Sequence, residues 1–274
     1  MGKCYKMKKK AEIKRDFIII IILSVILLIV GVAVVLKYYN YRAGNDKESN
    51  FQITDLEPLA VDNSKIKKII ENKDSYPEIL LEMLSRNPDM TDYVFNYSEL
   101  KGKVFANDIG TVEKGTYPLL LQYDTGWGYG IYGNNVIAVN GCGPTSAAMV
   151  IAGLTGRNDI TPYNVAEYSY KNGYFNDGTS WSFFTKGIEN FGIAGTEIPL
   201  YKNKMVSELE SGYPIILSMG KGDFTTTGHI IVVTGLKDGK FVINDPNSKE
   251  RSSKLWSYEQ IENQIKNLWS FRLI

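Results

Sequence analysis

The chain has 274 residues with 44% hydrophobic and 12% aromatic side chains, enough for one core of ordinary domain size plus extensions. Two cysteines exclude a disulfide scaffold, and one histidine with neither Cys-x-x-Cys nor His-x-x-x-His excludes the usual zinc patterns, so no metal is expected. Net charge is +1, but residues 1–36 carry seven Lys and Arg against Glu12 and Asp16; the remainder is mildly acidic, which argues against a nucleic-acid partner.

Residues 1–16 form a basic tail. Residues 17–36 contain no charge and are broken only by Ser24 and Gly31. At about 1.5 Å per residue, a helix over this run spans roughly 30 Å, the thickness of a hydrocarbon core. A cleaved signal peptide is the competing reading, but the run exceeds a typical apolar signal region and no Ala-x-Ala site follows it. A single-pass anchor in membrane lipid is therefore expected. Lys3 to Arg15 would hold the N-terminus in the cytoplasm and leave the following domain outside the cell.

Residues 37–60 read as a linker, with Gly44, Asn45, Asp46, Lys47, Glu48 and Ser49 together. Residues 61–100 read as a helical lead-in. Ile66, Ile69 and Ile70 have helical spacing after Asn63 and Ser64, either of which suits a cap. Ile79, Leu80, Met83 and Leu84 repeat the pattern between Pro77 and Asn87-Pro88. These apolar faces need a partner, most simply the domain over 101–274.

Within that domain, residues 143–154 read as a helix. Pro144 suits its first turn, Ala147, Ala148, Val150, Ile151 and Leu154 are apolar, and Gly156 ends it. Residues 181–191 and 206–210 read as further helices. Residues 214–219, 229–236 and 240–244 read as strands, and 256–268 as a mixed amphipathic stretch with helical character. A helix followed by an antiparallel sheet makes an α+β domain. Gly126, Gly128 and Gly130 alternate with Trp127 and Tyr129, the wrong pattern for a phosphate-binding turn, and no cofactor is expected.

Cys142 sits in Asn140-Gly141-Cys142-Gly143-Pro144-Thr145, at the expected helix start. Free N–H groups and the helix dipole favour an anion there, and the thiolate is the nucleophile. Gly141 and Gly143 also suggest room for a substrate backbone. The bland alternative is a small buried hydrophobe. His229, the single histidine, opens a strand after a small polar loop over 220–225. It is the one side chain whose ordinary pKa suits a base near neutrality, although a lone histidine at a strand end is often a surface residue.

A third group should orient the imidazole. Asp238-Gly239 marks a turn between the two later strands. A three-residue loop over 237–239 puts Asp245 opposite Ile231, diagonal to His229 at about 7–8 Å between Cα atoms. A two-residue loop shifts the register and puts Asn244 on the histidine face instead, opposite Val233 and roughly 13 Å along the strand. Geometry thus favours Asp245 over Asn244, though Asp245-Pro246-Asn247 also reads as a plain turn. For the oxyanion, the Cys142 N–H is the backbone candidate and Gln122 the side-chain candidate. On its own, Gln122 reads equally well as the polar end of a strand after Leu119-Leu120-Leu121.

Taken in order, six stretches resemble the bacteriocin-processing, or double-glycine, cysteine peptidases, family thirty-nine of the cysteine peptidases. They are Leu121-Gln122-Tyr123-Asp124 with Gly126-Trp127-Gly128-Tyr129; Gly141-Cys142-Gly143-Pro144-Thr145; Gly178-Thr179-Ser180-Trp181; Gly220-Lys221-Gly222-Asp223-Phe224-Thr225; Gly228-His229; and Asn244-Asp245-Pro246-Asn247. The similarity covers about residues 115–270, and Tyr76 to Asn87-Pro88 resembles the lead-in of membrane-anchored relatives. The resemblance implies a papain-like fold, with the nucleophile on Cys142, the base on His229, the orienting acid on Asp245 and the oxyanion side chain on Gln122. The processing peptidases are fused to transporters and cut leader peptides on the cytoplasmic side. This chain shows no transporter segment, so leader cleavage does not carry over.

The expected activity is hydrolysis of a peptide or amide bond, in a peptide or cell-wall peptide substrate. An acyl transferase with the same residues and a surface binding module with a weak site are the alternatives. A stem peptide, a surface protein and an exported signal peptide all fit as substrates.

Overall fold

The computed structural model describes residues 24–36 and 51–274. Residues 24–36 form a helix whose apolar side chains, among them Leu27, Leu28 and Val34, are exposed. The expected span over 17–36 falls partly on residues 17–23, outside the described residues. Among the described residues no helix is long and apolar enough to cross a membrane.

From Gln52 to Ile274 the chain forms one compact unit. Helical turns begin at Ile53, earlier than the linker reading to residue 60 allows, because Leu56 and Ala60 are already buried. Helix α1 (Ser64–Glu71) is capped by Asn63, whose side chain accepts from the N–H groups of Lys65 and Ile66. Helix α2 (Glu78–Arg86) starts after Pro77 and buries Leu80, Leu81 and Leu84. Tyr93 packs the lead-in against the rest of the unit. Its ring stacks on Tyr129 at 4.3 Å between centroids, and each hydroxyl donates to a backbone carbonyl on the other side: Tyr93 to Gly128, Tyr129 to Tyr93.

Helix α3 (Cys142–Thr155) is buried from Gly143 to Gly153, with Thr145 and Ser146 the polar side chains in an otherwise apolar stretch. Gly156 closes it at φ 77°, in the left-handed region open to glycine. Helix α4 (Pro162–Lys171) packs beside it, started by a capping box between Thr161 and Asn164. Residues 181–191 are not one helix but two short 3-10 turns, Trp181–Phe184 and Gly187–Phe191. A Cβ at Gly187 would lie 2.6 Å from the Phe183 ring, so a residue without a side chain is needed where the second turn begins.

The sheet has six antiparallel strands: β1 (Ile193–Glu197), β2 (Ile215–Met219), β3 (His229–Lys237), β4 (Lys240–Asn244), β5 (Leu255–Trp256) and β6 (Ile265–Leu273). Helix α5 (Lys202–Glu210) separates β1 from β2. The spatial order is β1-β6-β2-β3-β4-β5. Ile216, Ile230, Val232, Trp269 and Phe271 join the core under α3. Ile215, Leu217, Ile231, Val233 and Ile243 join Met205 and Leu209 of α5 on the other face. Both faces are covered, which is why β2 reads as one apolar run rather than an alternation. The expected α+β arrangement, a helix that begins at Cys142 packed on an antiparallel sheet, is the one observed.

The β3–β4 hairpin corrects one expectation. Its loop is two residues, with Lys237 paired to Lys240, because Asp238 (φ 53°) and Gly239 (φ 70°) both adopt the left-handed conformation of a tight hairpin turn. The register then shifts between Val233 and Gly235, where Thr234 forms a bulge. The bulge restores the residue the shorter loop removes, so Val232 pairs with Asn244 and Asp245 follows one position on.

Candidate active site

Two elements bring the site together. Cys142 is the first residue of α3 and His229 the first of β3. One turn into the helix, the Ser146 hydroxyl donates to the carbonyl of Ile230 at 3.2 Å. That bond clamps the helix to the strand four residues after the thiol and one residue after the imidazole. Cys142 is a free, half-buried thiol, while His229 and Asp245 are buried.

His229 Nε2 lies 2.7 Å from Asp245 Oδ1. Because an ionised carboxylate can only accept, Nε2 carries the proton and Nδ1 is left for the thiol. The carboxylate is held by two further donors. Asn247 N–H donates to Oδ1 at 2.7 Å and Arg251 Nε donates to Oδ2 at 2.5 Å. The Asp245 backbone N–H donates to Ser252 Oγ at 2.9 Å, which fixes the loop from behind. Asn244 points elsewhere, its amide donating to the carbonyls of Tyr117 and Pro118.

These contacts set the charges. Burial alone would lower the pKa of His229; the negative charge and hydrogen bond of Asp245, joined by the Cys142 side chain, overcome it and push the imidazole up to about 10. Burial alone would raise that of Asp245; the His229 and Arg251 cations outweigh it and hold the carboxyl below its ordinary 3.8. An imidazolium beside the thiol is thus favoured across the neutral range.

Gln122 is buried. Its backbone N–H donates to Pro246 O at 2.7 Å, tying it to the loop that carries Asp245. Its Nε2 donates to Ala138 O at 2.6 Å, while Oε1 is buried without a partner. The carbonyl partner fixes the amide orientation, since two oxygens cannot bond, and it uses one of the two Nε2 hydrogens. The second hydrogen remains available. Gln122, Cys142 and His229 line one cleft of about 300 Å³, together with Asn247, Arg251 and the polar loop over 222–228.

One sequence expectation changes here. The space beside Gly143 is filled by the protein itself: a Cβ there would lie 2.4 Å from Thr179 Oγ1, and one at Gly141 would lie 2.4 Å from Ile137 Cγ2. These glycines serve close packing around the thiol rather than room for a substrate backbone. Gly143→Ala is expected to destabilise the fold by about 1–3 kcal/mol, read as a lowered Tm. An unchanged Tm would show that Thr179 moves aside freely. The aromatic residues over 123–132 are core: Tyr123, Trp127, Tyr129 and Tyr132 are buried. Arg251, Ser146 and the lead-in residues that face the cleft carried no signal in the sequence. Their roles come from tertiary contacts across wide sequence separations, apart from Arg251, whose basic charge six residues after Asp245 looks like any other on a polar turn.

No curated protein matches the chain. Among solved structures, the peptidase domain of Streptococcus ComA, titled a bi-functional ABC transporter involved in a quorum sensing pathway, aligns at 23% identity and TM-score 0.38. It covers 58% of this chain and 98% of that domain. A putative C39-like peptidase from Bacillus anthracis aligns at 14% identity and TM-score 0.37, covering 60% of this chain and 98% of that one. The segment that carries Gln122, Cys142, His229 and Asp245, residues 114–271, matches the family model described as "Peptidase_C39 like family" over more than half of the chain, and the chain belongs to that family.

Proposed function

We propose that the chain is a cysteine peptidase, a thiol hydrolase of peptide or amide bonds. The observation that carries this reading is the buried His229–Asp245 pair at 2.7 Å with the free Cys142 thiol in the same cleft. With His229 charged through the neutral range, the thiol proton already sits on the imidazole, and the thiolate attacks the substrate carbonyl carbon. The developing oxyanion is met by the Cys142 N–H, which has no acceptor within its own helix, and by the second hydrogen of Gln122 Nε2. The imidazolium then returns its proton to the leaving amine. Water, deprotonated by the same imidazole, releases the acyl group from sulfur.

Asp245 holds the imidazole by Nε2 so that Nδ1 faces sulfur, and it stabilises the positive charge formed there. Arg251 and Asn247 hold Asp245 in turn. The apolar, uncharged run over 17–36 and the exposed apolar side chains of the helix over 24–36 support a membrane anchor with the peptidase unit outside the cell. Protease added to intact cells should degrade the 52–274 unit; protection of that unit would reverse the orientation.

The reaction itself is tested by incubating the full chain with a mixed peptide pool and reading products by mass. The wild-type protein should yield cleaved amides and Cys142→Ala none. Equal cleavage by both would end the proposal.

A further inference from the structure

Helix α2 lies outside the segment that matches the family, yet it forms a wall of the cleft. It buries Leu80, Leu81 and Leu84 on one side. On the other, Ile79, Glu82, Met83 and Arg86, at spacings of three and four, face the same cleft as Cys142 and His229. The helix is fixed there from both sides of the catalytic loops. Asn87 Nδ2 donates to Asn247 O at 2.7 Å, two residues after Asp245, and Arg86 Nη1 donates to Thr226 Oγ1 at 2.9 Å, three residues before His229.

Charge on this wall cancels, because Arg86 pairs with Glu82 at 2.5 Å. What remains unsatisfied is apolar. Ile79 is 39% exposed, Met83 is half-buried, and Val139 and Phe224 line the same space. One polar group there also lacks a partner: Asn247 Oδ1 is buried and accepts nothing. That oxygen is closed off from the cleft and takes no donor from it, whereas an apolar side chain on an extended chain would cover Ile79 and Met83.

We infer that Ile79 and Met83 are specificity-determining residues, which receive an apolar side chain of an extended peptide lying between α2 and the loop over 222–228. The inference rests on the peptidase reading. Covering this surface should be worth about a tenfold gain in reaction rate for a peptide carrying a leucine at the matching position.

Epoxysuccinyl probes test it on the full chain in detergent. The Cys142 thiolate opens the epoxide, a C–S bond replaces one C–O bond, and the freed oxygen takes a proton to become a hydroxyl. Two-residue peptide arms on either carboxyl, with glycine or leucine at each position, sample both directions from sulfur. Intact-protein mass gives the labelling rate. Leucine at one position should speed labelling about tenfold over glycine, and Ile79→Ser with Met83→Ser should cut that gain to within about twofold. Chloroacetamide, which has no peptide, should label the double variant at the wild-type rate, which also reports that the site is intact. Ile79→Ser alone, at an exposed position, should halve the gain or more without touching the core. No leucine gain at any position, or a gain that survives both variants, overturns the inference. Chloroacetamide labelling that is indifferent to His229→Ala overturns the peptidase reading instead.

Discussion

His229→Ala should lower kcat/KM for peptide hydrolysis by roughly 10³-fold, within the 10²–10⁴ range that a positioned acid–base group contributes. The chain has no other histidine, so no neighbouring imidazole can substitute. The loss has two parts. Without the imidazolium, the thiol loses both its proton acceptor and the cation that favours the thiolate. Alkylation of Cys142, which needs only the thiolate, should therefore slow as well, but by less than hydrolysis. The remaining loss lies in protonation of the leaving amine, which alkylation does not need. The two assays therefore separate the roles. Equal losses in both would leave His229 as a thiol activator alone, and unchanged rates in both would remove it from the reaction.

Asp245→Asn should move the alkaline limb of the pH profile downward by several units. In the wild-type protein, burial opposes the charged imidazole while Asp245 and Cys142 favour it, and the outcome is a pKa raised to about 10. An amide in place of the carboxylate removes the largest favourable contribution and leaves burial unopposed by that charge. The limb should then fall toward or below the ordinary 6.5. At pH 8 the variant would hold a neutral imidazole and lose most of its activity; at low pH the loss would be smaller.

Stability follows the same contacts. His229 is raised, so its pairing is fully present below pH 6.5 and is lost as pH rises through about 10. Asp245 is lowered, so its contribution is present above its ordinary 3.8 and is lost as pH falls through its depressed value. The fold should be most stable between these limits. Asp245→Asn leaves Arg251 without its charge partner and should cost about 3 kcal/mol, read from urea unfolding at pH 7. A variant as stable as wild type, with an unmoved alkaline limb, would show that the pair does not act on His229.

Much of this geometry is legible in the sequence, for local reasons. Pro144 and Gly156 bracket a helix because each suits one end of it, and Lys240 to Asn244 alternates as a strand should. Other features were hidden by devices that break the expected period. The 256–268 stretch has Ile261, Ile265 and Leu268 at helical spacing. Part of it is strand β6, where a register shift opposite Ser218 and Met219 puts Ile265 and Leu268 on one face although they are three residues apart. The Thr234 bulge acts likewise on the hairpin, so Asp245 reaches His229 through a two-residue loop rather than the three-residue loop expected. Helix α4 has a sound start in Thr161-Pro162, but its polar and aromatic surface carries little apolar periodicity to mark it in the sequence. The wall formed by α2 was beyond reach in principle. The sequence shows an amphipathic helix, but not that its second face would meet the loop before His229.

The single histidine permits a direct test of the central claim, that a buried ion pair holds an imidazolium against the Cys142 thiol. With ¹⁵N-histidine incorporated and no histidine tag, the two ring nitrogens of His229 give NMR signals free of overlap, and their shifts report charge and tautomer against pH. The ring should stay charged through neutrality and lose its proton near pH 10. A ring that titrates near pH 6.5, or is neutral at pH 7, would contradict it.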